Sequence, residues 1–138
     1  MTTKKSEKIT QAIILAAGFG KRLRPLTLKD PKPLIRVHKN PIIFYILEEL
    51  RKNNILDCFI NVHYLPNKII EYIHNYSKIH KSMNIKIIYE KNILDTGGAI
   101  KNISQIHNKN PMIVINGDSI ILSTKQNNPV KQLINNYD

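Results

Sequence analysis

Apolar and polar positions along the chain follow two periodicities. Four short runs rich in isoleucine have the length and composition of buried strands. These runs are residues 10–18, 56–64, 84–90 and 111–120. Between them, apolar side chains recur every three or four positions, as on one face of a helix. The helical segments are residues 40–55, 65–79 and 97–107. The predicted order of elements is therefore β-α-β-α-β-α-β.

Residues favoured at helix starts support these boundaries. Asn40 is the predicted N-cap of the first helix, with Pro41 at its first helical position. Pro66 opens the second helix in the same way, and Thr96 is predicted to cap the third.

Strands that alternate with helices predict a parallel sheet with right-handed crossovers. We therefore expect a Rossmann-like three-layer α/β/α fold with a mainly parallel sheet, truncated relative to larger proteins of this kind. Ligands bind to such sheets outside the carboxyl ends of the strands. Gly18 follows the first strand, and Gly117 and Asp118 follow the fourth. If these two strands are neighbours, both segments face one crevice.

Length and composition predict one domain at residues 9–122. Residues 1–8 are predicted to be a frayed terminus. Residues 123–138 are predicted to be a polar tail that is too short to form another layer of the fold. No apolar run approaches the roughly 18 residues of a membrane span, so no membrane partner is expected. Cys58 is the single cysteine and lies in an apolar run, which predicts a core residue and a reducing, cytoplasmic location.

The formal net charge of +11 raises the question of nucleic-acid binding. The basic residues are spread along a chain in which lysine, isoleucine and asparagine are all abundant, as in a compositionally biased genome. This spread argues against nucleic acid as the cognate partner. One local cluster of basic residues stands out, and it follows the first strand: Lys21, Arg22, Arg24, Lys29, Lys32 and Arg36.

The loop that carries this cluster fits neither of two common phosphate-binding patterns. A dinucleotide fingerprint would need a third glycine where Leu23 stands. A P-loop would need glycine at Leu15 and serine or threonine at Arg22. What remains is a loop in which Gly18 and Gly20 let backbone N–H groups approach an anion. Three prolines stiffen its return path.

The motif "LAAGFGKRLRPLT" at residues 15–27, followed by "PKPL", closely resembles the signature of sugar-1-phosphate nucleotidyltransferases. The resemblance continues at "YEKNILDTGGAIKN" and "NGDSI", and covers most of residues 10–122. The segment "INVHYLPNKI" is similar to short bacterial members that act on N-acetylmuramate 1-phosphate or mannose 1-phosphate. The family transfers a nucleoside monophosphate from a nucleoside triphosphate to a sugar 1-phosphate, supplying NDP-sugars for cell envelope polysaccharide.

The resemblance implies a role for each matching residue. The nucleotide-binding residues it implies are Leu15, Ala16, Ala17, Gly18, Gly20, Lys21, Glu90, Gly97 and Gly98. Arg22 would stabilise charge on the pyrophosphate leaving group, and Lys32 would reach the α-phosphate or the sugar phosphate. Asp118 would bind Mg²⁺ as the implied cofactor. The role of His63 is left open: it could make a structural hydrogen bond or contact the substrate.

The family carries further strands after its Gly-Asp motif, which bind the sugar and supply a second acidic metal ligand. Here only residues 119–138 follow Asp118, so the resemblance covers the N-terminal half of such an enzyme. A fragment of a full enzyme, a nucleotide-binding module without turnover, and one piece completed by another chain all remain open. UTP and GTP remain open as substrates. The fourth strand would present an apolar edge, through which we expect self-association or a partner chain.

Overall fold

We describe the fold from a computed structural model, which describes residues 8–106 and 110–137. The predicted frayed terminus lies outside these ranges except for Lys8, and so does His107, the last residue of the third predicted helix. The strands are β1 Gln11–Leu15, β2 Arg36–Val37, β3 Asn40–Pro41, β4 Asp57–Val62, β5 Asn84–Tyr89 and β6 Met112–Asn116. The helices are α1 Leu26–Lys29, α2 Ile42–Lys52, α3 Pro66–Ile79, α4 Asp95–Ile106 and α5 Pro129–Asn135.

The main sheet is parallel throughout and has the strand order β5-β4-β1-β6. The predicted fold class and the predicted sequence of the four main strands along the chain are therefore confirmed. Leu15 at the end of β1 is in register with Asn61 on one side and Asn116 on the other. The first and fourth main strands are therefore neighbours, which is the condition under which the loops after β1 and β6 were expected to face one crevice.

Apolar side chains are buried on both faces of this sheet. The larger core contains the helix face predicted for α2, where Ile43, Ile46, Leu47 and Leu50 are all fully buried. A smaller cluster joins Ile13 and Phe59 of the sheet to Ile103 of α4. Burial of each such side chain stabilises the fold by about 1.5–3 kcal/mol. In the described part of the chain, no helix is long and apolar enough to cross a membrane.

Two predicted helix caps are wrong. Asn40 belongs to β3, which pairs with β2 in a short antiparallel hairpin, and α2 begins at Ile42 with Pro41 as its N-cap. Thr96 is the second residue of α4 rather than its cap, because the helix already begins at Asp95. The first shift comes from the pairing of β3 with β2, which helix-cap preference does not register. The second places the start of the helix at Asp95 rather than Gly97, within the range by which helix ends ordinarily vary.

Helix α5 forms within the segment predicted as a polar tail. The Asn128 side chain accepts a hydrogen bond from the Lys131 backbone N–H at 2.9 Å, and Pro129 follows the cap. Val130 is fully buried in the larger core. The Asn128 amide also donates to the Asn53 side-chain oxygen at 3.0 Å, and the Ser123 hydroxyl donates to Glu49. These contacts hold the segment against the end of α2.

Strand β6 has a paired neighbour, β1, on one side only among the described residues. Val114 in this strand is 42% exposed. The predicted exposed edge is confirmed, whereas self-association through it stays a prediction.

Glu48 links α2 to α3. Arg51 donates two hydrogen bonds to its carboxylate, and the Tyr76 hydroxyl of α3 donates a third at 2.8 Å. The bond from Arg51 is the main reason that the pKa of Glu48 lies below its ordinary value, although burial opposes it. The His80 ring lies 3.6 Å from the same carboxylate.

We expect Val130→Ala to lower the free energy of unfolding by about 2 kcal/mol, because it removes two buried carbon atoms and leaves a cavity. Urea denaturation measures this change. Leu133→Ala, in the same helix but 59% exposed, is the matched control and should have little effect. Equal effects of the two substitutions would mean that α5 does not pack as described.

The lowered pKa of Glu48 has a defined consequence for acid stability. The ionised carboxylate stabilises the fold above its unfolded pKa, and this contribution disappears as pH falls through the lower folded pKa. Glu48→Gln should therefore destabilise the protein near neutral pH, and the difference from wild type should shrink below about pH 4. Glu71→Gln, on the exposed side of α3, controls for loss of one charge. A pH-independent difference in melting temperature would contradict this account.

Candidate functional site

A cavity of about 350 Å³ opens at the carboxyl ends of the parallel strands. Seven of the residues that the sequence pointed to line it: Leu15, Ala16, Ala17, Gly18, Lys32, Glu90 and Asp118. Gly117, which was expected to face this crevice together with Asp118, also lines the cavity. The lining further contains residues that the sequence analysis did not assign to the site: Pro33, Asn61, Ile93, Asp95, Thr96 and Asn116. This cavity thus joins the loops after β1, β5 and β6.

The other residues predicted for the site lie outside the cavity lining. Gly20, Lys21 and Arg22 are in the next part of the loop, where residues Lys21–Leu23 form a short 3-10 helix with no buried residue. Gly97 and Gly98 lie in the first turn of α4, whose Asp95 and Thr96 line the cavity instead. Within the described ranges, Arg22 forms no ion pair and is exposed, so its charge is available to a ligand.

The glycine loop folds around one buried threonine. Gly20 has a φ of 62°, and a Cβ there would lie 2.7 Å from Cγ2 of Thr27. The Thr27 hydroxyl donates to the Gly20 carbonyl oxygen at 2.7 Å, and the Tyr64 hydroxyl donates to the Thr27 carbonyl oxygen at 2.7 Å. Gly20 is therefore required by both backbone conformation and close packing. Gly18 differs, because a Cβ there would meet open space.

Aromatic contacts attach the same loop to the end of β4. Phe19 makes edge-on contacts with the rings of His63 and Tyr64, with centroids 5.4 and 5.6 Å apart. Nδ1 of His63 donates to the carbonyl oxygen of Glu90 at 2.8 Å. His63 therefore makes a structural hydrogen bond, one of the two roles left open for it. The role of Phe19 was missed, since a single exposed aromatic in a loop carries little sequence signal.

Lys32 and Asp118 form an ion pair across the mouth of the cavity. Lys32 lies in a 3-10 turn at residues Lys32–Leu34, and Asp118 follows β6. Gly117 brings the two loops together, because its N–H donates to the Leu15 carbonyl oxygen at 2.8 Å. A Cβ at Gly117 would lie only 2.7 Å from that oxygen. The close approach of β1 and β6 thus fixes where the Asp118 carboxylate lies.

A buried hydrogen-bond network forms the opposite wall. The side-chain oxygen of Asn61 accepts from the Ala16 backbone N–H at 2.8 Å, and its amide donates to Oε1 of Glu90 at 2.8 Å. Oε2 of Glu90 accepts from the Leu94 backbone N–H at 3.1 Å. Asn61 is 4% exposed and Glu90 is 3% exposed. A side chain from β4 therefore connects the loops that follow β1 and β5.

Cys58 takes no part in this site. It is fully buried in the larger core, and burial raises the pKa of its thiol to about 12. The thiol therefore stays protonated near neutral pH, which confirms the prediction of a core residue rather than a nucleophile.

Comparison with known proteins identifies the class to which this fold and site belong. The Nucleotidyl transferase family matches residues 11–137, nearly the whole sequence. The chain therefore belongs to the nucleotidyl transferase family, as its motifs predicted.

Related sequences narrow the comparison. The chain is 35% identical over 112 residues to mannose-1-phosphate guanyltransferase from Saccharomyces cerevisiae. It is 37% identical over 112 residues to the protein of that name from Schizosaccharomyces pombe. Each alignment covers 80% of this chain and 31% of the relative. The chain thus spans less than a third of the length of these relatives.

Solved structures agree on the fold. HddC from Yersinia pseudotuberculosis complexed with GMP-PN has a TM-score of 0.71 and 28% identity, covering 81% of this chain and 49% of that chain. UDP-glucose pyrophosphorylase complexed with UDP-glucose has a TM-score of 0.78 over 92% of this chain and 52% of that chain. Its 22% identity supports the shared fold alone.

Proposed function

We propose that this chain forms the nucleotide-binding part of an enzyme that transfers a nucleoside monophosphate from a nucleoside triphosphate to a sugar 1-phosphate. The products are an NDP-sugar and pyrophosphate. The observation that carries the proposal is the convergence of the glycine loop, Lys32 and Asp118 on one cavity at the carboxyl edge of the sheet. Family membership supports it, and so do the named relatives.

The relatives also suggest which substrates to test first. Those with the higher sequence identities are guanyltransferases for mannose 1-phosphate, and HddC was solved with a guanine nucleotide analogue. We therefore propose GTP and mannose 1-phosphate as the first pair of substrates to test, with UTP as the second nucleotide.

A cytoplasmic location stays a prediction.

The residues present fit a magnesium ion bound together with a nucleotide. The described residues contain no cluster of three metal-binding side chains, but Mg²⁺ commonly takes one or two carboxylates and completes its shell with phosphates and water. Asp118 already holds a cationic group, the Lys32 ammonium, at the mouth of the cavity. When bound there, Mg²⁺ would neutralise charge on the phosphates.

The chemical obstacle is repulsion between two anions. An oxygen of the sugar phosphate attacks the α-phosphorus, and the bond from that phosphorus to the pyrophosphate oxygen breaks. The attacking phosphate is already ionised, so no general base is required. Lys32 would bind the phosphate oxygens at the reacting centre, and Arg22 in the same loop would stabilise the departing pyrophosphate. Gly18 leaves room for close approach of the nucleotide to the backbone.

Pyrophosphate release from a matrix of nucleoside triphosphates and sugar 1-phosphates tests this function. We expect Arg22→Ala and Asp118→Ala each to lower the rate by about 100-fold or more, because each removes charge stabilisation of the transition state. Lys78→Ala, on the exposed side of α3, controls for the loss of one positive charge and should be neutral. Nucleotide binding without turnover would instead support a non-catalytic nucleotide-binding role for the chain alone. Absence of both would contradict the proposal.

The ion pair also predicts how metal binding responds to Lys32. In the nucleotide-free protein, the ammonium competes with a metal ion for the Asp118 carboxylate. Lys32→Gln should therefore raise the affinity for Mn²⁺, used as a spectroscopic substitute for Mg²⁺, by up to about fivefold, and should weaken nucleotide binding. Lys68→Gln breaks the exposed pair with Asp30 and should change neither affinity at this site. Weaker Mn²⁺ binding by Lys32→Gln, measured by electron paramagnetic resonance, would contradict the competition.

A further inference from the structure

Asn61 is a polar side chain in an otherwise apolar part of β4. Its neighbours Ile60 and Val62 are fully buried, and Asn61 itself is 4% exposed where it lines the cavity. Burying an amide is unfavourable unless its polar atoms find partners. Both side-chain polar atoms of Asn61 do so, and their partners lie in two different loops.

The position of β4 in the sheet makes this double contact possible. β4 lies between β1 and β5, and Asn61 is in register with Leu15 and Ile88 in these strands. Its oxygen accepts from Ala16, the first residue after β1. Its amide donates to Glu90, the first residue after β5. One side chain therefore sets the separation between the start of the glycine loop and the Glu90 carboxylate.

The Glu90 carboxylate depends on such donors. It is 3% exposed, lines the cavity, and has no ion-pair partner among the residues that the structure describes. Its hydrogen bonds come from Asn61 and from the Leu94 backbone N–H. A buried carboxylate without such bonds would be strongly destabilised. Loss of the Asn61 donor would leave only the Leu94 N–H bond to hold the Glu90 carboxylate in the cavity wall.

We propose that Asn61 is a positioning residue of the nucleotide site, whose amide holds the glycine loop and Glu90 at the separation that a bound nucleoside requires. The inference rests on the proposed nucleotide-binding function. It assigns Asn61 no direct chemical step, because its amide acts through the Ala16 backbone and the Glu90 carboxylate.

The substitution Asn61→Asp removes the amide donor to Glu90 while almost preserving the shape of the side chain. An aspartate oxygen still accepts from the Ala16 N–H, but the amide donor to Glu90 becomes a second carboxylate oxygen. Two carboxylates at hydrogen-bond distance titrate as a coupled pair, and one proton shared between them restores an O–H donor. The other titratable groups around the pair are His63, which bonds to the Glu90 backbone, and Lys32, Asp95 and Asp118 in the cavity lining.

The measurement is the dissociation constant for GTP and for UTP in the presence of Mg²⁺, from pH 5.5 to 8.5. Each value for the variant is divided by the wild-type value at the same pH, which removes titration shared by both proteins. We expect Asn61→Asp to bind nucleotide about tenfold or more weakly at pH 8 and to approach wild type as the pH falls. Asn67→Asp adds the same charge at an exposed position of α3 and should follow wild type throughout.

The outcomes separate the two proposals. If wild type binds no nucleotide, the proposed function fails, while recovery of the Asn61→Asp melting temperature at low pH would still demonstrate the link between the two loops. If wild type binds and the variant is unchanged, or weakened equally at every pH, the positioning role is overturned.

A second variant covers the case in which Asn61→Asp does not fold. The double substitution Asn61→Asp with Glu90→Gln exchanges donor and acceptor between the two positions. The amide introduced on the β5 side can donate to the carboxylate introduced on β4, and its oxygen can still accept from the Leu94 N–H. We expect this double variant to melt within a few degrees of wild type at pH 8, without the pH dependence of the single variant. A double variant as unstable as Asn61→Asp would overturn the proposed hydrogen-bond link.

Discussion

The parallel pairing of β1 with β4 on one side and β6 on the other is the constraint on which the site depends. In a parallel sheet the carboxyl ends of all strands lie at the same edge, so the loops that follow neighbouring strands lie close together. Leu15, Asn61 and Asn116 are in register at this edge. The glycine loop, the buried amide and the Gly117–Asp118 turn are therefore neighbours because their strands are neighbours, although they are far apart in sequence.

Within that frame, two kinds of interaction shape the cavity. One wall is held by neutral and charge-assisted hydrogen bonds among groups that are almost completely buried, with Asn61 and Glu90 at their centre. The mouth is held by the partly exposed ion pair of Lys32 and Asp118. Buried hydrogen bonds resist rearrangement because unpaired groups are strongly unfavourable there, whereas an exposed ion pair is weak and exchanges partners readily. The structure thus combines a rigid wall with a mouth whose charges can rearrange.

Sequence reasoning succeeded where the signal is local or repeated. The apolar runs predicted the four main strands, and the rule for parallel sheets placed the segments after β1 and β6 in one crevice on the condition that these strands are neighbours, which they are. It failed where a pairing or a tertiary contact overrides the local preference: Asn40 pairs with Val37 in the β2–β3 hairpin instead of capping α2, and α5 packs against the larger core through the buried Val130. The role of Asn61 could not be predicted, because the sequence of an apolar strand does not show whether an asparagine in it will find hydrogen-bond partners in the fold.

The β1–β6 pairing also has a consequence for the time course of folding. β1 forms its ladder with β6 across about a hundred residues of intervening chain, and contacts so distant in sequence form slowly. β1 and β4, being closer in sequence, can pair earlier. We therefore expect the sheet edge that carries Asp118 to form after the β1–β4 pair, so that the cavity acquires its full lining at the end of folding rather than with the first compact sheet.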